Sequence, residues 1–95
     1  MGNTEIDLRC YEVRVNGESV LLSPKEVEIL HLMASQPRQV FTREQLLDQI
    51  WGYEYIGDTR TVDVHIKRLR EKIKDHDSWK IATIWGIGYK FEVKA

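Results

Sequence analysis

The stretch that decides the reading is Thr59–Lys74, T-R-T-V-D-V-H-I-K-R-L-R-E-K-I-K. At about 100° per residue, Val62, Ile66, Leu69 and Ile73 fall on one narrow stripe. Roughly opposite lie Arg60, Thr61, Val64, Lys67 and Arg68, with His65 and Lys72 on the flank. A helix over about residues 60–74 would therefore have a packing side and a cationic side, the latter carrying small groups that permit close approach. Such a face suits a duplex major groove, where Lys and Arg meet phosphates and a few middle residues meet base edges. A solvated amphipathic helix carries the same pattern. The rest of the chain has to separate the two.

Upstream, two more helix starts are written out. Ser23-Pro24-Lys25-Glu26 places Ser at the N-cap, Pro at the first helical position and Glu three after the cap. Val27, Leu30, Met33 and Ala34 form the stripe of that helix, and Gln36-Pro37 stops it. Val40-Phe41 reads as a short extended link into Thr42-Arg43-Glu44-Gln45, a second capping box that opens a helix through Leu46, Leu47 and Ile50. Trp51–Asp58, W-G-Y-E-Y-I-G-D, reads as an aromatic loop that either covers core or presents a surface, with Asp58 or Thr59 capping the next helix.

The ends read as β-structure. Ile6–Asn16 alternates apolar and polar residues, Asn16-Gly17 signals a two-residue hairpin turn, and Glu18–Leu22 returns. That meander is too small to stand alone and must pack on a helix. Asp75–Ser78 is a polar break. Lys80–Ile84 is a strand, Trp85-Gly86-Ile87-Gly88 a turn, and Tyr89, Phe91 and Val93 alternate in a closing strand. The fold class is α+β: an N-terminal antiparallel sheet, three helices, and a C-terminal β-hairpin wing over about residues 80–93. Two capped helices, a longer basic helix and a hairpin make a winged helix-turn-helix order.

Composition bounds the function. Ninety-five residues give one domain with a single core. The formal net charge of −1 hides an asymmetry: five Lys/Arg face ten Asp/Glu up to Asp58, and nine face five from Thr59 onward. A basic C-terminal part favours an anionic partner on one side. No apolar run approaches the roughly 18 residues of a membrane helix, and no signal-peptide core is present. Ile6 stands where a myristoylation motif requires Ser or Thr. The one cysteine, Cys10, excludes an internal disulfide, fits a reducing cytoplasm and reads as a small buried hydrophobe. Catalysis finds no footing. His31, Asp63, His65 and His76 lack metal-ligand spacing, Gly86-x-Gly88 is too short to cradle phosphate, and Glu44/Asp48 is a like-charge pair. The expectation is no enzyme, no cofactor and no metal.

Several motifs, in order, carry a family likeness: L-S-P-K-E-V-E-I-L (Leu22–Leu30), V-F-T-R-E-Q-L-L (Val40–Leu47), Trp51-Gly52, R-T-V-D-V-H-I-K-R-L-R-E-K-I (Arg60–Ile73) and G-I-G-Y-K-F (Gly86–Phe91). Across nearly its whole length the chain resembles the effector domain of OmpR/PhoB-type response regulators of two-component systems. The resemblance implies a four-stranded N-terminal sheet, three helices and a wing. It also implies sequence-specific duplex-DNA binding, as tandem protomers on direct repeats. In that family a phosphorylatable receiver domain precedes the module. None is present in this chain, which reads as an effector domain alone and as a monomer without DNA.

Carried over by position, the resemblance puts Arg60, Thr61, Val64, His65, Lys67, Arg68 and Arg70 at or near DNA. Arg68 would face a guanine edge and Val64 a thymine methyl. Asp63 would accept from a cytosine amine or aim an arginine, and it is also a candidate ion-pair partner for Arg70. Thr83 and Tyr89 would meet phosphate across the wing and Trp51 near the loop start, although Tyr89 could equally be a core residue, and Trp51, with Tyr53 and Tyr55, reads as core and lid more than as partner contact. Trp85 stands where relatives that enter the minor groove commonly carry Arg. It could stack on sugar, wedge, or pack on the domain itself. The loop residues Glu54, Tyr55, Ile56 and Asp58 would touch RNA polymerase.

Overall fold

The computed structural model describes residues 4–15, 17–52, 55, 57–73 and 79–93. Chain order is β1 (Thr4–Asp7), β2 (Glu12–Val15), β3 (Glu18–Val20), α1 (Pro24–Ser35), β4 (Val40–Thr42), α2 (Arg43–Trp51), α3 (Arg60–Lys72), β5 (Trp79–Ile84) and β6 (Gly88–Val93). Two antiparallel sheets, β1-β2-β3 and β4-β6-β5, flank the three helices. No helix among the described residues is long and apolar enough to cross a membrane.

Both written capping boxes form. The Ser23 hydroxyl accepts from Glu26 N while the Glu26 carboxylate accepts from Ser23 N, and Thr42 and Gln45 repeat the pattern at α2. Each box satisfies two backbone N–H groups that a helix start otherwise orphans. The α1 stripe is buried as its spacing demands, joined by Ile29. From α3, Val62, Ile66, Leu69 and Ile73 enter the same core, where Phe41, Leu46, Trp79 and Phe91 meet them. Val13 is fully buried, and Ile6, Val15 and Val20 pack against this core, so the small meander does lean on helices. The Trp79 ring stacks on Phe91 at 5.0 Å, and its indole N–H donates to Thr4 Oγ1 at 2.8 Å, tying β1 to the wing.

Several expectations change. The alternation from Ile6 onward does not run through as one strand: it breaks at a turn over residues 8–11, where Tyr11 has φ 52°. Cys10 therefore sits exposed, not buried, with its thiol 3.9 Å from Glu12 Oε2. The N-terminal sheet has three strands among the described residues, not four. Val40–Thr42 is more than a link: it pairs with β6 through Val40↔Lys90, Phe41↔Tyr89 and Thr42↔Gly88. Trp51 closes α2 instead of opening the loop, and α3 ends at Lys72. Asn16, the break at 75–78 and His76 lie outside the described residues.

Candidate nucleic-acid interface

The start of α3 is held by Asp58. Thr59 occupies the N-cap position but has helical backbone angles and no side-chain cap bond. Instead, the Asp58 carboxylate accepts from Arg60 N at 3.0 Å and from Arg60 Nε at 3.0 Å. These bonds, the backbone N–H first, hold the Asp58 carboxyl below its usual range. Arg60 remains exposed beside it.

From its N-terminus α3 presents two flanks around one exposed face. On one flank Trp51, the last residue of α2, meets His65 edge-on, with ring centroids 4.9 Å apart. His65 Nδ1 lies 2.8 Å from the Thr61 carbonyl oxygen. A carbonyl can only accept, so Nδ1 carries the proton. Lys25 Nζ donates to the Ile50 carbonyl oxygen at 2.9 Å and sits 5.7 Å from the Trp51 ring centre, closing the end of α2.

The other flank faces the wing. Arg70 donates to the Ile81 carbonyl oxygen from Nε (3.2 Å) and Nη2 (2.8 Å), and from Nη2 to Thr83 Oγ1 (2.8 Å). Its guanidinium lies 5.5 Å from the Tyr89 ring centre. Arg70 thus fastens α3 to the wing strands, and the considered pair with Asp63 does not form. Asp63 takes other partners: Oδ1 accepts from Arg43 Nε at 2.9 Å and from the Tyr89 hydroxyl at 2.6 Å. Tyr89 is buried, which pushes its phenol above the ordinary 10.0, with the Asp63 bond adding to the rise. Arg43 was absent from the residues singled out by pattern. The one hint was its place: a cation in the first turn of a capped helix works against the helix dipole.

Between the flanks Val64, Lys67 and Arg68 are exposed, and neither cation has an ion-pair partner among the described residues. The wing itself is nearly balanced, because Glu92 lies 3.9 Å from Lys80 Nζ and 3.7 Å from Lys90 Nζ. At its tip, Ile87 N donates to the Ile84 carbonyl oxygen, and Gly86, at φ 78°, supplies the left-handed position of the turn. Trp85 beside it is 89% exposed and does not pack on the domain. Of the loop residues, Tyr55 is exposed and Asp58 is engaged with Arg60, while Tyr53, Glu54 and Ile56 lie outside the described residues.

A capped helix feeding a basic one, with a hairpin fastened alongside, defines a winged helix-turn-helix module. A family model described as "Transcriptional regulatory protein, C terminal" matches residues 17–91. The transcriptional regulatory protein YclJ of Bacillus subtilis is 54% identical over 88 residues, covering 92% of this chain and 39% of that protein. Response regulator DrrB of Thermotoga maritima, an OmpR/PhoB homolog, superposes with TM-score 0.83 at 39% identity, over 97% of this chain and 42% of that one. The RstA DNA-binding domain of Klebsiella pneumoniae, solved in complex with the RstA box, gives TM-score 0.82 at 35% identity, over 96% and 92%. This chain belongs to the family of C-terminal domains of OmpR/PhoB-type transcriptional regulators. It spans about two fifths of the length of the curated relatives it matches.

Proposed function

We propose that this domain binds duplex DNA sequence-specifically and controls transcription as the effector part of a response regulator. The observation that carries the reading is the exposed face of α3. Lys67 and Arg68 stand there without an ion-pair partner among the described residues, beside exposed Val64, on a helix fixed from both flanks. Clustered cations left unneutralised on one helix face of a chain of net charge −1 favour an anionic partner there. Arg68 and Val64 read base edges in the major groove, and Arg60, Thr61, His65 and Lys67 position the helix on phosphates. Thr83 and Arg70, bonded to each other, bring the wing near its tip to the adjacent backbone. Buried Tyr89 acts from behind this surface, and half-buried Trp51 borders it at the end of α2.

Family likeness supports the finer parts of the reading. The domain is a single unit over residues 1–95 and, alone, a monomer that pairs on direct repeats. It works in the cytoplasm without enzymatic activity, behind a receiver domain in a longer chain, and its loop at 54–58 meets RNA polymerase.

Selection of bound sequences from a random duplex pool tests the proposal. A recurring half-site in direct repeat is expected, with one position relaxed by Arg68→Ala at a cost of about 1–3 kcal/mol in binding. A pool that stays random after repeated selection would sink it.

A further inference from the structure

Arg43 and Asp63 meet at the seam of three elements. Arg43 opens α2, directly after the Thr42 cap; Asp63 lies on α3; Tyr89 lies on β6. One carboxylate oxygen, Asp63 Oδ1, takes both neighbours, Arg43 Nε at 2.9 Å and the Tyr89 hydroxyl at 2.6 Å. The bond to Asp63 uses the Nε edge of the guanidinium, and Tyr89 also interacts with Arg43, but a guanidinium has five N–H donors and these two partners do not exhaust them. The Arg43 side chain is 41% exposed. On the helical wheel Asp63 lies about 40° from Lys67, so Arg43 sits at the rim of the exposed cationic face.

We propose that Asp63 is a positioning residue. It grips Arg43 by one edge, with Tyr89 beside both groups, and so fixes the remaining guanidinium donors as an additional phosphate-backbone contact at the border between α3 and the wing. This rests on the DNA-binding reading and deepens it. The fork geometry suits this role, since an arginine held at Nε still offers its Nη donors to an anion. Preorganisation matters because a free surface arginine must give up its rotamer freedom on binding. The arrangement also dictates a counterintuitive sign. Removing the negative charge of Asp63 from a surface that faces DNA should weaken binding, because the loss of a placed cation outweighs the relief of repulsion.

The test is a salt series of binding to a selected duplex and to a random one, with wild type, Arg43→Ala, Asp63→Asn and Tyr89→Phe. Arg43→Ala should lower the slope of log affinity against log salt by about one unit on both duplexes. Asp63→Asn should weaken binding at low salt, and its combination with Arg43→Ala should be no weaker than Arg43→Ala alone. Asp63→Glu keeps the charge but displaces the acceptor, and it should fall between wild type and Asp63→Asn; it also carries the test should Asp63→Asn fail to fold. An unchanged slope in Arg43→Ala, or tighter binding by folded Asp63→Asn, would overturn the inference while leaving the DNA-binding reading intact. Failure of wild type to bind either duplex would instead remove the reading beneath it.

Discussion

Two carboxylates hold α3, from opposite flanks and toward opposite ends, and their surroundings differ. Glu26 reaches from α1 to the last turn. Its Oε1 accepts from Lys72 Nζ at 2.7 Å and from Ser23 N at 2.9 Å. Asp63 reaches from the first turn to Arg43 and Tyr89. Each carboxylate takes a cation and one other donor. Glu26, however, is only 1% exposed, and its Oε2 has no hydrogen-bond partner among the described residues, whereas the Asp63 side chain is 34% exposed. A buried carboxylate must keep its cation, because an uncompensated charge in the core is costly. A rim carboxylate can share its cation with a visitor. The same pairing therefore acts as a structural anchor at one end of α3 and as a presenting arm at the other.

The sharpest way to break the contrast is at Gly88, under the Asp63 side. Gly88 pairs with Thr42, and a Cβ there would fall on the Phe41 carbonyl oxygen and within 2.8 Å of Thr42 Cα. Backbone cannot swing aside as a side chain can. Gly88→Ala should cost about 3 kcal/mol in denaturant unfolding and part Arg43 from Asp63. A loss below about 1 kcal/mol would mean that β4 does not approach so closely.

Next comes the anchor. Lys72→Met should cost about 2 kcal/mol, less than the usual 3–5 for a fully buried pair, because the lysine end is 40% exposed. The salt slope of binding should change little if Lys72 is structural. Burial raises the Glu26 carboxyl, but Lys72 and Ser23 together outweigh burial and hold it below the ordinary 4.5. A lowered folded value means the contribution is complete above about pH 4.5 and lost as pH falls through the folded value. An acid-unfolding curve should show this loss in wild type and lack it in Glu26→Gln.

The smallest effect belongs to Tyr89→Phe, which keeps the ring and deletes one hydrogen bond, for about 1 kcal/mol. Burial, then Asp63, raise the phenol, so this contribution is complete below about pH 10 and lost as pH rises through the folded value. Thermal unfolding at pH 9 and 11 should show a smaller difference between the two proteins at the higher pH than at the lower.

Sequence pattern carried the helices well, since capping boxes and a 3.6-residue stripe are local and repeated. The α3 stripe Val62/Ile66/Leu69/Ile73 is the buried face. Short β-elements were less legible. Three residues at 40–42 are too few to show a period of two, so the strand is visible only through its partner β6. The alternation across Cys10 persisted through a turn, because side-chain identity does not register the positive φ at Tyr11. Arg43 was invisible for another reason: its meaning comes from Asp63, 20 residues away, and no local spacing encodes that meeting. The partners of Arg70 were missed likewise, because they include the backbone oxygen of Ile81.

Whether the exposed face of α3 reads duplex DNA is tested most directly by the affinity ratio between a selected duplex and a random one, measured for wild type and Arg68→Ala at several salt concentrations. A wild-type preference that persists across salt is expected, with Arg68→Ala losing roughly 10- to 100-fold on the selected duplex and far less on the random one. Equal affinity of wild type for both duplexes, or a preference that Arg68→Ala leaves untouched, would contradict it.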